Sequence, residues 1–195
     1  MNKQLTFDEV FKIWLDNEIS STQYRDVLSF VATKGFTSIA EWRLQTALKL
    51  GMDKREWTLE TIDNPHEELP KIKVGPYKGW SNQNGIEFFK NELNTSFAEA
   101  VEMPEFFDWV SKHDRIIPIS KNFPLPTTLI LFRKENGDLI HIEGGHRICA
   151  VAYTNKIGEP IEFEGKPPVS AAIANISDEE IKHFLEVMQQ GTDKK

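Results

Sequence analysis

The run Thr127–Tyr153, TTLILFRKENGDLIHIEGGHRICAVAY, decides the fold. Thr127 to Arg133 is a continuous apolar stretch of strand length. Leu139 to Ile142 is a second such stretch. Asn136-Gly137 lies between them, and an Asn-Gly pair flanked by apolar runs is a strong hairpin signal. After the second strand come Glu143, Gly144, Gly145, His146 and Arg147. Then Ile148 to Tyr153 takes helical spacing, with Gly158 as its stop. The order is strand, turn, strand, glycine turn, helix.

Downstream, Pro168 to Ile176 reads as a final strand. Ser177-Asp178-Glu179-Glu180 has the form of a capping box and opens a helix through Ile181, Phe184, Leu185 and Met188. Upstream, Arg115 to Ile119 reads as a short strand. Gly85 to Lys112 reads as helical with a break at Met103-Pro104, and Lys71 to Val74 alternates like a strand. The stretch 61–70 is polar, carries Pro65 and Pro70, and reads as a linker or surface loop.

Before it, three amphipathic helices are expected. The first carries Phe7, Val10, Phe11, Trp14, Leu15 and Ile19, with Thr6 as N-cap. The second is capped by Ser21 or Thr22, carries Tyr24, Val27, Leu28 and Val31, and ends at Gly35. The third is capped at Ser38 and stops at Gly51. The fold class expected is α+β: a helical module at 1–60, a domain with a small mixed sheet at 61–190, and a polar tail at 191–195.

Composition bounds the function classes. The chain has 195 residues, 39% hydrophobic and 27% charged, which excludes collagenous and disordered chains. A single cysteine cannot form an internal disulfide, which points to a reducing compartment. The net charge of -7 runs against a DNA-coating or membrane-surface protein. No stretch approaches the ~20 apolar residues of a membrane span. Asp8, Asp16 and Glu18 interrupt the first apolar residues, so no signal peptide is read. The expectation is a cytoplasmic protein with no membrane partner.

The glycine turn carries the chemistry. A helix start has N–H groups without partners and the positive end of the helix dipole. Two glycines let another group approach the backbone. The Arg147 guanidinium, just inside the helix, offers a fork that fits phosphate or carboxylate. These are the parts of an anion site. The same residues also fit a plain strand–helix turn, in which the glycines supply positive φ and Arg147 pairs with an acid.

From Leu129 to about Met188 the order of parts resembles the ParB/sulfiredoxin-like domain, and the likeness extends upstream to Lys71–Val74 if the whole domain is present. In that superfamily the turn and helix start bind nucleotide phosphates. The resemblance implies that Gly144, Gly145, His146 and Arg147 hold phosphate. It implies a nucleoside triphosphate or diphosphate, ATP or ADP first, with Mg²⁺. Sulfiredoxins have cysteine at the Gly145 position, and Cys149 lies inside the helix, so sulfiredoxin chemistry is not expected. Partitioning proteins have glutamate at the Gly145 position and arginine at the His146 position, and this chain has neither. Small-molecule kinase members are nearer in the His-Arg element.

Several candidates surround this turn. Glu143 is the expected general base and a ligand, direct or through water, for nucleotide-borne Mg²⁺. An ordering ion pair between Glu143 and Arg147 is the alternative. His146 is the second expected catalytic residue. His141, Glu143 and His146 together raise the question of a protein-held metal, although the spacing matches no standard ligand motif. Tyr77 and Trp80 are expected to stack on a base, and Lys78 to reach a phosphate. A loop whose aromatics cover the core edge is the alternative there. Trp14, Trp42, Trp57 and Trp109 read as core or interface anchors, and His66, His113 and His183 as surface histidines.

Three functions follow. The first is phosphoryl chemistry on a bound nucleotide, hydrolysis or transfer to a small hydroxyl acceptor. The second is a metal-dependent DNase with a basic groove of Lys71, Lys73, Lys78, Arg133 and Lys134. The third is a non-catalytic module that binds a nucleotide effector or docks a protein partner through the N-terminal helices.

Overall fold

The computed structural model describes residues 3–19, 24–83, 85–90 and 92–189. Element order is β1 (Lys3–Leu5), α1 (Phe7–Ile19), α2 (Tyr24–Thr33), α3 (Ile39–Lys49), β2 (Trp57–Thr61), α4 (Pro65–Glu68), α5 (Lys78–Ser81), β3 (Asn82–Gln83), β4 (Ile86–Glu87), α6 (Phe97–Val101), α7 (Pro104–Ser111), α8 (Ile116–Lys121), β5 (Thr127–Arg133), β6 (Leu139–Glu143), α9 (Gly145–Ile157), β7 (Val169–Asn175) and α10 (Asp178–Gln189). One sheet has the strand order β1-β2-β7-β5-β6; only the β7–β5 pair is parallel. β3 and β4 form a separate small hairpin. The fold class is α+β.

β5 explains the architecture. Its side chains alternate between two faces, and both faces are covered. Leu129 and Leu131 join Ala171, Ile173 and the apolar side of α9 in one core. Ile130 and Phe132 join Ile140, Ala172, Val10, Trp14 and Phe184 in the other. A strand buried on both sides needs apolar residues at every position, which is why Leu129–Phe132 has no polar member. α6 and α9 pack on the first face, with α7 and α8 beside them. α1, α3 and α10 serve the second.

The helix boundaries follow their caps. At α1 the Glu9 N–H donates to Thr6 Oγ1 at 3.2 Å and the Thr6 N–H donates back to Glu9 Oε2 at 2.8 Å. Ser38 accepts from the Glu41 N–H at 3.1 Å, and Gly51 follows α3 with φ +63°. At α10 the Ser177–Glu180 pair forms the reciprocal box. The Lys134–Asp138 turn carries Gly137 at φ +91°, as the Asn-Gly signal requires. The proposed caps Ser21 and Thr22 and the tail 191–195 lie outside the described residues.

Five expectations are corrected. Lys71–Val74 is no strand of its own: Leu69–Lys71 is a 3₁₀ turn, and Lys73 bridges Ser96 and Ile140 along the free edge of β6. Arg115–Ile119 forms α8 instead of a strand. Its isoleucines suit either state, but Pro118 falls in the first turn, where its missing N–H costs nothing, and Ile116 and Ile119 then reach the core at i, i+3 spacing. Gly85–Lys112 is not one interrupted helix. The β3–β4 hairpin and a loop come first, and α6 starts only at the Ser96–Glu99 capping box; Pro104 does open a new helix, at its first turn. Residues 1–60 hold the three helices, but also β1 and most of β2, which belong to the main sheet. Leu28 is 37% exposed and not on a buried stripe. Among the described residues no helix is long and apolar enough to cross a membrane.

Candidate functional site

The turn from β6 into α9 is built by two glycines with different tasks. Gly144 is the residue before the helix, with φ +98°, and a Cβ there would run into the Leu129 side chain. Its carbonyl accepts from the N–H groups of Arg147 at 2.9 Å and Ile148 at 3.0 Å. The N–H groups of Gly145 and His146 have no protein acceptor among the described residues, as befits a helix start. Gly145 sits against His141 and Trp80. A Cβ on it would lie 2.6 Å from His141 Nε2 and 2.8 Å from Trp80 Cζ2.

Arg147 turns inward. Its side chain is 10% exposed and that of Glu143 15%. Arg147 Nη2 donates to both Glu143 oxygens at 2.6 Å, and Nη1 donates to Thr127 Oγ1 at 2.5 Å and Asn17 Oδ1 at 3.1 Å. Asn17 Nδ2 in turn donates to Glu143 Oε2 at 2.6 Å and to the Thr128 carbonyl at 3.0 Å. One network therefore ties α1, β5, β6 and α9 together. Burial pushes the Glu143 carboxyl above the usual carboxylate range, and the Arg147 guanidinium pulls against that.

A cavity of about 750 Å³ opens at this turn. Gly144, Gly145, His146 and Glu143 form one side. Trp14, Tyr77 and Trp80 give it aromatic walls, and α1 and α3 add Asn17, Glu18 and Arg43, the last two ion-paired with each other. Asp114 and Arg115 and the segment before β5 complete it. The volume lies within the ~300–1,000 Å³ range of small-molecule sites.

Two histidines, His141 and His146, pack on Trp80, and a third, His113, packs on His146. His146 lies 5.1 Å from Trp80 and 5.1 Å from His113, ring centre to ring centre. His141 lies 5.6 Å from Trp80. His141 is buried, and its Nδ1 accepts the Gly75 N–H at 2.6 Å. Burial pushes its pKa down to about 3, so the ring is neutral. Burial also holds His146 well below its ordinary value, helped by the nearby His113 and Arg115, and lowers His113.

Of the residues expected at the site, Glu143, Gly144, Gly145, His146, Arg147, Tyr77 and Trp80 all line this one cavity. Lys78 does not; it is exposed on α5. Arg147 is spent on Glu143, Thr127 and Asn17, which is the ordering ion pair and not a free fork. Glu143 has both oxygens engaged, and among the described residues no three His, Cys, Asp or Glu side chains converge to hold a metal. Trp80 is 8% exposed and packed against Phe97 and Trp109, so it is both core and cavity wall. The Tyr77 hydroxyl donates to the Ile142 carbonyl at 2.9 Å. Cys149 is buried, and its thiol is pushed up by desolvation.

His113 is no surface histidine: it is half-buried against Trp109 and His146. Trp14, Asn17, Glu18, Arg43, Asp114 and Arg115 also line the cavity. No local pattern marks them, because tertiary packing alone brings α1, α3 and the loop before α8 to the turn. Of the basic groove, Arg133 is paired with Glu60 at 2.7 Å and Lys73 lies 3.8 Å from Glu99. Comparison with family models, with curated proteins and with solved structures finds no match to this chain.

Proposed function

We propose that the chain binds a phosphate-bearing small molecule in this cavity, a nucleoside di- or triphosphate such as ATP or ADP, with a phosphate against the start of α9. One observation carries the reading. Gly145 and His146, whose N–H groups have no protein acceptor among the described residues, line the same cavity as the aromatic side chains of Trp14, Tyr77 and Trp80. Phosphate recognition by a helix start and base stacking on an aromatic face are the two halves of nucleotide binding. The resemblance to the ParB/sulfiredoxin-like domain supports the same site.

Phosphoryl chemistry, hydrolysis or transfer to a small hydroxyl acceptor, extends this proposal. Glu143 lines the cavity, and His146 presents a neutral imidazole at the helix start. For Glu143 to accept a proton, one oxygen must leave Arg147. That closed ion pair favours the second reading, an effector-binding module without turnover. The DNase reading gains nothing, because its Arg133 and Lys73 are paired with acids.

Thermal unfolding against a panel of nucleotides and inorganic phosphate, with and without Mg²⁺, tests the site. A ligand at ~100 times its Kd stabilises by about 2.7 kcal/mol. For a chain of this size that raises the midpoint by roughly 5–11 °C. The shift is expected to shrink in His146→Ala and to persist in Lys78→Ala. Phosphate release on incubation with the stabilising nucleotide separates turnover from binding. No shift with any nucleotide or with phosphate sinks the reading.

A further inference from the structure

The imidazole of His141 is a buried polar group beside the start of α9. It is 1% exposed, between Phe97, Tyr77 and Trp80, yet it borders the cavity. Its Nδ1 accepts the Gly75 N–H at 2.6 Å. A nitrogen that accepts an N–H carries no proton itself, so the neutral ring places its proton on Nε2. The Lys73 backbone also faces the ring and favours a proton on it, but the Gly75 N–H aimed at Nδ1 at 2.6 Å leaves no room for a second hydrogen there, and burial keeps the ring uncharged.

Nε2 makes no hydrogen bond to a described residue, and His141 is among the residues that line the cavity. It abuts the first residue of α9, 2.6 Å from where a Gly145 side chain would begin. The other polar groups of that helix start are the N–H groups of Gly145 and His146, which are donors as well. Donors gathered at one place without a protein acceptor suit an oxyanion. A protonated Nε2 cannot ligate a metal, which removes the cation reading of this histidine.

We infer that His141 donates its Nε2–H to the oxyanion held at the start of α9, and that residue 145 is glycine because any side chain would cover that nitrogen. The inference rests on the anion site proposed above and names its side-chain donor. Gly75 is the positioning residue: its N–H fixes the ring's tautomer, and a Cβ on it would strike the His141 backbone. The arrangement gives a neutral donor, which recognises an oxyanion by a hydrogen bond and not by net charge.

The test is NMR of the full chain labelled with ¹⁵N-histidine, reading the His141 ring nitrogens while inorganic phosphate, ADP and acetate are added in turn. The expected result is a neutral Nε2–H ring before ligand, and a downfield move of that proton with phosphate and ADP. His141→Asn keeps an acceptor for the Gly75 N–H but has nothing at the Nε2 position, and its phosphate Kd is expected to weaken about tenfold or more. Ligand-induced shifts of the Gly145 and His146 amides with an unmoved His141 proton overturn the inference and leave the anion site standing. An Nδ1–H tautomer also overturns it. A response to acetate but not to phosphate or ADP upholds His141 as oxyanion donor and sinks the phosphate reading. No response to any of the three removes both.

Discussion

The Asn17 side-chain amide on α1 donates to the Glu143 carboxylate on β6 at 2.6 Å, across 126 residues of chain. The same Asn17 takes a bond from Arg147 and gives one to the Thr128 carbonyl. Helix α1 is therefore a wall of the cavity and not a separate module resting on it. Asn17→Ala is expected to destabilise the protein by about 1–3 kcal/mol, since it leaves buried partners unsatisfied. Urea unfolding gives the size. Amide exchange gives the place, with loss of protection concentrated in α1. Uniform loss, or none, counts against the tether.

Arg147 carries the larger load. Removing it leaves a carboxylate that is only 15% exposed without its cation. Breaking such a pair from one side costs about 3–5 kcal/mol, whereas replacing both partners by apolar groups costs much less. Arg147→Met should be strongly destabilising in urea, and the double variant Arg147→Met with Glu143→Leu should recover part of the loss. A double variant worse than the single one refutes the pairing as the cause. Loss of ligand binding in an Arg147 variant does not mean a lost phosphate contact, because the four terminal N–H bonds already end on Glu143, Thr127 and Asn17.

The sequence-legible part of the fold is the part built from local signals. β5, the Asn136-Gly137 turn, β6, α9, β7 and α10 follow from hydrophobic period and from glycine and capping residues. β1 and β2 were invisible because they are short and their pairing is distant: Glu60 lies beside Ala171. α8 is not legible locally because Ile116, Ile117 and Ile119 fit a strand or a helix equally, and only the core contacts decide. The site divides in the same way. The 143–147 turn with Tyr77 and Trp80 was legible. The facing wall of Trp14, Asn17 and Arg43 was not, because it depends on how α1 and α3 dock on the sheet.

Gly75 and Gly79 lie four residues apart and offer a controlled comparison. A Cβ at Gly75 would collide with the His141 backbone and sit 2.9 Å from two atoms of its ring. A Cβ at Gly79 would meet only the flexible Gln83 side chain, at 3.5 Å. Gly75→Ala should therefore cost about 1–3 kcal/mol from overpacking. Gly79→Ala should be neutral or slightly stabilising, since alanine suits a helix better. Chemical denaturation of the two variants decides. Equal effects would mean that the Gly75–His141 contact is slack.

Acid stability should be governed by buried neutral histidine well before the carboxylates titrate. In the unfolded chain His141 has its ordinary value of 6.5, and in the folded protein about 3. Above pH 6.5 neither state holds the proton, and the fold has its full stability. Between 6.5 and 3 the unfolded chain takes a proton that the fold refuses, so stability falls by about 1.4 kcal/mol per pH unit. His146 and His113 shift the same way and add to the slope. Glu143 opposes it, because its raised carboxyl is protonated earlier in the fold than in the unfolded chain. Glu9, Glu99 and Glu180 are lowered, and their contribution is lost only below about 4.5. Urea unfolding at pH 7.5, 6.5 and 5.5 isolates the histidine window. His141 alone is expected to cost the wild type about 1.4 kcal/mol between 7.5 and 5.5, to which His146 and His113 add and from which Glu143 subtracts, and His141→Asn should show a curve flatter by the His141 share. Parallel curves for the two proteins would show that His141 takes up its proton in the fold as readily as in the unfolded chain.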